Sequence, residues 1–286
     1  MEPAVFFVTA LADVKKESFG AKLHELLEQQ VPVRIIFANL NFAERGSFDR
    51  LLTALTAHTH QQVTVASLYD VFCDDQGIPL STDTLLTVNH VNLKERRFTE
   101  TDGQYYVRYF KDNDLVEESH YLADDRLFYQ NFYQQNERVQ VAFYDGHTQP
   151  EIISNFEDGH LKESLLLNRQ GELVYRFVRE THPVQRLFNM TNTANLQLTN
   201  VATAQPAPAK GRKAQATQKN TLTVLEQQET DFKVMNYVDF DRFDHLYDFY
   251  RQVLQRVDFE HQRLYVNIDH NVEMSTVLPK QLIFNY

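Results

Sequence analysis

Asp269 and His270 follow the run Leu264-Tyr265-Val266-Asn267-Ile268, which reads as a parallel strand. Ligands of open α/β sheets bind outside the carboxyl ends of such strands, so this pair could serve as a general base or orient an acceptor hydroxyl. A plain strand-end turn accounts for it as well. A second group, Lys15, Lys16, Ser18 and Gly20, stands where an amphipathic stretch begins. Free N–H groups and the positive end of the backbone dipole favour an anion at a helix start, so a substrate phosphate could dock there. The competing reading is a solvated loop with Ser18 as the helix cap.

Other groupings carry less chemistry. His58 and His60 offer two imidazoles, but no third ligand follows at the spacing of a zinc site. Asp239, Asp241 and Asp244 lack the central glycine and closing glutamate of a calcium loop, and are expected to cap a helix. Cys73 has no basic neighbour in the sequence and precedes Asp74 and Asp75, a poor setting for a nucleophile. No catalytic residue, metal ligand or cofactor is assigned.

The totals narrow the classes further. Of 286 residues, 28 are basic and 39 acidic, and the formal charge of -11 argues against non-specific binding to nucleic acid or to an anionic membrane surface. One cysteine forms no internal disulfide. The apolar run of residues 4–8 is too short for a signal peptide, and no stretch is long enough to cross a bilayer, so a cytoplasmic protein with at most peripheral membrane contact is expected.

These residues must be positioned by two kinds of element. Residues 4–8, 31–37 and 63–65 read as buried strands, with amphipathic helices at 18–29 and 48–55, the second capped by Ser47, and a helical turn at 68–72. This alternation predicts a small parallel sheet. From Arg97 to Arg179 the chain becomes a tyrosine-rich meander of short strands, including 105–110, 120–122, 127–129, 132–133, 139–144, 152–156, 165–167 and 173–177, with Asp-Gly and Asp-Asn turns. Residues 201–220 form a mobile loop by composition, with a basic cluster of Lys210, Arg212, Lys213 and Lys219. A strand at 222–225 follows, then a helix over 243–257 capped by Asp241, a strand at 263–268, a helical turn at 274–278 and a last strand at 281–284. The expected division is an α/β domain at 1–92, an inserted antiparallel sheet at 93–229, and the α/β domain resumed at 230–286.

Alternation along the meander puts its aromatic residues on two faces. Tyr105, Tyr109, Tyr121, Tyr129, Tyr133 and Tyr144 are the candidates for an interface, or for stacking on sugar rings.

The order of parts, with Ser67-Leu68-Tyr69-Asp70-Val71-Phe72, Gly103-Gln104-Tyr105-Tyr106-Val107-Arg108-Tyr109-Phe110, Tyr144-Asp145-Gly146 and Leu264-Tyr265-Val266-Asn267-Ile268-Asp269, resembles the N-terminal part of bacterial GT-B glycosyltransferases. The type is that of the poly(glycerol-phosphate) alpha-glucosyltransferases and of the enzymes that glycosylate serine-rich adhesins. The resemblance spans nearly the whole chain, through order and texture more than fixed motifs. It implies an incomplete GT-B fold, one Rossmann-like domain interrupted by an antiparallel β-meander domain. It also implies an acceptor, teichoic acid or a serine-rich protein, held on this side while a C-terminal domain binds the nucleotide-sugar and carries a pair of glutamates in an E-x7-E arrangement. Glu17 and Glu25 have that spacing but lie on the first helix, outside the matching domain. The turn after the first strand lacks the paired glycines often seen there. The chain is therefore expected to be inactive alone towards UDP-glucose and UDP-GlcNAc, and to need a glycosyltransferase paralogue or donor-domain subunit as partner. The alternative is a non-catalytic binding subunit or adaptor, and a homo-oligomer through the meander is compatible with either.

Overall fold

The computed structural model describes residues 3–57, 63–100, 103–189, 222–237, 239, 241–257 and 262–286. His58 and His60, and the expected mobile loop with its basic cluster, lie outside them. The chain begins with β1 (Ala4–Val8), α1 (Leu11–Val14), α2 (Glu17–Glu28), β2 (Val33–Phe37), α3 (Arg45–Thr56), β3 (Val63–Ser67) and α4 (Leu68–Phe72). The meander follows as β4 (Lys94–Thr99), β5 (Tyr105–Lys111), β6 (Asp114–Tyr121), β7 (Leu127–Gln134), β8 (Glu137–Phe143), β9 (Ile152–Glu157), β10 (His160–Leu167), β11 (Leu173–Asn189), β12 (Leu222–Asn236) and β13 (Arg242–Phe243). It closes with α5 (Leu246–Arg256), β14 (Arg263–Val266), α6 (Asn271–Val277) and β15 (Ile283–Asn285).

All of β1 is buried because it lies in the middle of a parallel sheet of order β15-β14-β1-β2-β3. Its side chains alternate between two cores. Ala4, Phe6 and Val8 face a cluster formed with α2 and α3, where Phe19, Leu23, Leu26 and Leu27 recur at helical spacing and Phe48 stacks on Phe37 at 4.1 Å. Val5 and Phe7 face the other cluster, built from α5 and from the antiparallel sheet: Val141, Phe143, Ile152, Leu166, Val174, Tyr175 and Phe177 share it with Phe249, Tyr250, Val253 and Leu254.

The meander is a second sheet in sequential order from β4 to β13. Gln135-Asn136 and Asp158-Gly159 make two-residue turns, all four residues having positive φ, the geometry a tight hairpin requires. The expected break between 129 and 132 does not occur: β7 runs through Gln130 and Asn131, because both amides bond to groups on β6. Gln130 donates to Glu117 and Ser119 at 3.1 Å each, and Asn131 to Glu118 at 3.2 Å. Two compact units emerge, Met1–Arg179 with Phe232–Tyr286, and Glu180–Asp231, the second holding the outer parts of β11 and β12.

Several expected helix starts move. Lys16, not Ser18, is the N-cap residue of α2, and it makes no side-chain cap. Ser47 lies inside α3, which starts at Arg45. Asp241 precedes β13, and α5 begins after His245. At α4, Ser67 forms a capping box with Asp70: Oγ accepts from the Asp70 N–H at 3.2 Å and the Asp70 carboxylate accepts from the Ser67 N–H at 2.7 Å.

Candidate functional site

The chain leaves β1 towards β2 on one side, while β14 joins β1 on the other. The connections after β1 and β14 therefore diverge, which makes the carboxyl ends of these two strands the topological switch point of the sheet, where the ligand crevice of such folds lies. Thr9, Asp13 and Lys16 come to it from the β1 side, and Asn267, Asp269 and His270 from the β14 side.

Asp13 and Asn267, 4% and 2% exposed, form its floor. The Asn267 amide donates to Asp13 Oδ1, while Asp13 Oδ2 accepts from the Ala10 N–H at 3.2 Å and the Thr9 hydroxyl at 3.3 Å. On the other side of its amide, Asn267 Oδ1 accepts from Lys16 Nζ at 2.8 Å. Lys16 Nζ also reaches Asp269 Oδ2 at 2.7 Å, and this bond, with the lysine charge, holds the Asp269 carboxyl below the usual carboxylate range.

His270 is held at both ring nitrogens, Nε2 by Thr9 Oγ1 at 2.9 Å and Nδ1 by Tyr247 Oη at 2.7 Å. Thr9 donates to Asp13, so it accepts from His270 Nε2–H, and Nδ1 then accepts from the Tyr247 hydroxyl; the tautomer is assigned from this network. Neither nitrogen keeps a free lone pair. This arrangement orients His270 and leaves it no free lone pair for a substrate hydroxyl, while the exposed Asp269 carboxylate and the Lys16 ammonium can read hydroxyl or ether oxygens.

Of the expected residues, Lys16, Asp269 and His270 meet here. Lys15, Ser18 and Gly20 do not: Lys15 and Ser18 are exposed, and Gly20 lies inside α2, where an added Cβ would stand 3.5 Å from Leu55. No anion cradle forms from the four together, since Lys16 turns to Asn267 and Asp269. Thr9, Asp13, Asn267 and Tyr247 escaped the sequence reading. A Thr and an Asp four apart after a buried strand were the available sign.

The tyrosines divide as alternation requires. Tyr105 and Tyr121 stack at 4.8 Å, with the Arg97 guanidinium 3.6 Å above Tyr105, and Tyr109 stacks on His90 at 4.1 Å. Tyr129, on the other face, stacks on His120 at 4.1 Å, and Tyr133 lies near Glu118 on that side. Tyr144 is corrected as an interface candidate: it is 7% exposed, packs with Phe132 and Ala142, and its hydroxyl donates to Gln130 at 3.1 Å.

Three polar features are internal to the fold. Glu118 accepts from Arg108 and Asn131 and contacts His120 Nε2 at 2.7 Å; burial alone would raise its carboxyl, but the hydrogen bonds from His120 and Arg108 outweigh this and bring it to about 2. Glu151 lies beside a cavity of about 30 Å³ walled by Phe37, Phe42, Phe128 and Phe143. Burial, then the charges of Asp145 and Asp70, push Glu151 up to about 8. His147 Nε2 stands 3.2 Å from its Oε1. Cys73 does have a basic neighbour, since Arg169 donates to its Sγ at 3.4 Å from the turn after β10; the thiol is 4% exposed and closed to substrates. Among the described residues no group of three His, Cys, Asp or Glu side chains is arranged to hold a metal, and no helix is long and apolar enough to cross a membrane.

No family model and no curated protein matches the sequence. Among solved structures it is similar to the GtfA/B complex bound to UDP and GlcNAc, with 11% identity over 98% of this chain and 48% of that one and a TM-score of 0.49. It is also similar to the Glycosylation Associate Protein (Gap123) complex from Streptococcus agalactiae, with 8% identity, 98% and 50% coverage and a TM-score of 0.48. A third is a mutant of S. aureus TarM in complex with Fondaparinux, alpha-GlcNAc-glycerol and UDP, with 14% identity, 62% and 41% coverage and a TM-score of 0.39. The chain spans about half the length of these proteins or less. Proteins of the type that the sequence resembles are thus among the similar solved structures.

Proposed function

We propose that the chain is the acceptor-side part of a retaining GT-B glycosyltransferase that transfers a sugar from a nucleotide-sugar to wall teichoic acid or a secreted serine-rich protein. The reading keeps the division 1–92, 93–229 and 230–286. It places the donor nucleotide on a separate domain or subunit, a glycosyltransferase partner, with the acceptor held on this side.

The observation that carries it is the crevice between β1 and β14. Lys16 there is already paired with Asp269 at 2.7 Å, so what the crevice presents is hydrogen-bonding groups more than concentrated charge. Its outward groups are those that read hydroxyls, and they are pre-organised by the Asp13–Asn267 floor, which lowers the cost of fixing a flexible acceptor. Bringing a hydroxyl to a donor sugar held by a partner is a proximity effect, and it needs no base on this chain.

A second reading, a binding subunit or adaptor that recruits a complete transferase or its acceptor, is favoured by one specific feature. Both nitrogens of His270 are engaged. Positioning is then the whole of what the site does.

Amide NMR of the chain titrated with glycerol 3-phosphate, a serine-rich peptide and UDP-GlcNAc tests the proposal. The acceptors should shift Thr9, Lys16, Asp269 and His270, and His270→Ala, which releases the Thr9 hydroxyl that it orients, should weaken their binding about tenfold through lost pre-organisation. Saturation of the same residues by UDP-GlcNAc alone, or turnover of it by the isolated chain, would refute the acceptor assignment. Acceptor binding together with co-purification of a complete transferase favours the adaptor reading.

A further inference from the structure

The sheet face covered by residues 78–88 carries a row of polar side chains across four strands: Gln140 on β8, Asn155 on β9, Glu163 on β10 and Arg176 on β11. Each is bonded to the next. Gln140 donates to Asn155 Oδ1 at 2.8 Å, Asn155 Nδ2 to Glu163 Oε1 at 2.8 Å, and Arg176 Nε to Glu163 Oε2 at 2.6 Å. Gln140, 4% exposed, is further fixed by the Leu86 N–H at 2.8 Å and the Thr84 carbonyl at 2.9 Å. Both of its N–H donors are thereby used on the protein.

Asn155 and Glu163 keep capacity. An Asn amide has two N–H donors, of which Glu163 takes one, and a carboxylate has about four acceptor positions, of which Asn155 and the Nε and Nη2 of Arg176 fill three. Over them lies an open groove of about 480 Å³, rimmed by Ser81 and Asp83 on one side and by Lys162 on the other. That volume is within the range of small-molecule sites, roughly 300–1,000 Å³.

The lining selects the ligand. An apolar molecule would strand these amides and carboxylates without water. An anion would meet Asp83, Glu157 and Glu163, with Lys162 already paired to Glu157 at 2.9 Å. Among the described residues no three acidic or histidine side chains converge on a metal position. A neutral ligand that donates and accepts at short spacing fits what is left. Adjacent ring hydroxyls of a sugar do this, each giving its proton to a carboxylate and accepting from an amide N–H.

We propose that this groove is a binding site for a pyranose sugar, read by the Asn155 amide and the Glu163 carboxylate, with Ser81, Asp83 and Lys162 meeting its outer hydroxyls. It shares no residue with the crevice between β1 and β14, and it stands whether or not the chain is part of a transferase. A sheet that binds sugar at a distance from the crevice could retain a glycan while its next acceptor group is presented.

The test is isothermal titration and amide NMR of the intact chain with glucose and with GlcNAc, using glycerol and inorganic phosphate as controls. One of the sugars should bind saturably, with a Kd on the order of 1 mM, and shift residues 81–84 and 155–163. Asn155→Leu should weaken binding about tenfold. Asp83→Ala, on the exposed connector and outside the bonded row, should weaken it about threefold and keeps the test decisive if the first variant folds poorly. No saturable binding of either sugar, an equal response to glycerol or phosphate, binding unchanged by Asp83→Ala, or shifts confined to Thr9 and His270 would overturn the proposal.

Discussion

Glu151→Gln should stabilise the protein, and only above about pH 5. Glu151 is buried among Phe37, Phe42, Phe128 and Phe143 with Asp145 nearby, and its carboxyl is pushed up to about 8 from an ordinary 4.5. Between these values the unfolded chain has released the proton that the folded chain keeps. Stability from this group is therefore full below about pH 4.5 and declines as pH rises through the window, to a limit reached above about pH 8. At about 1.4 kcal/mol per pH unit the loss is about 4 to 5 kcal/mol as an upper bound, and water entering the small cavity would reduce it to about 2 to 3. Glutamine keeps the size and hydrogen bonding of the protonated acid and cannot ionise. Urea unfolding followed by circular dichroism suits a chain with no tryptophan. At pH 5 the variant and the parent should agree within about 1 kcal/mol, and at pH 8.5 the variant should be more stable by about 2 kcal/mol or more. Equal stabilities at pH 8.5, or a less stable variant there, would mean that Glu151 ionises in the folded protein as easily as in the unfolded chain and that the desolvation argument is wrong.

Glu118 works in the opposite direction. Its carboxyl lies at about 2, so its contribution is present above 4.5 and is lost as pH falls towards 2. Glu118→Gln should cost about 1 to 3 kcal/mol at neutral pH and flatten the acid side of the stability profile, measured by the same unfolding assay. Gly146→Ala should lower stability by about 1 kcal/mol or more, because φ is +84° and an added Cβ would stand 2.5 Å from Arg126 Nη1. A melting temperature equal to the parent's would show that Arg126 moves aside freely.

The parallel sheet was legible because its signals are local. Five apolar residues in β1, helical spacing of Phe19, Leu23, Leu26 and Leu27, and Ser67 three before Asp70 each state their element within a few positions. Asp269 and His270 were legible for the same reason, as polar residues at the end of an apolar strand. Asp13 was not, because what buries it is Asn267, 254 positions away in the chain, and no local pattern encodes that bond. The pairing of Gln130 and Asn131 with Glu117 and Glu118 likewise depends on strand register, so two polar residues in a row looked like a break. Arg169 reaches Cys73 from 96 positions away, which hid the thiol's neighbour.

The cluster that joins the two sheets has a consequence for inheritance. Phe249 of α5 meets Tyr175 and Phe177 of β11 edge to face at 5.2 Å and 5.0 Å, and Phe72 of α4 lies 4.7 Å from Tyr175. A meander exchanged between relatives by recombination would arrive with its own Tyr175 and Phe177 and find a helix shaped for others. Large-to-small mismatches in such a core cost about 3 to 5 kcal/mol each, a large fraction of a domain's stability. The meander can therefore diverge freely along its outer strands, but its inner strands must change in step with α4 and α5, which are encoded far upstream and downstream of them.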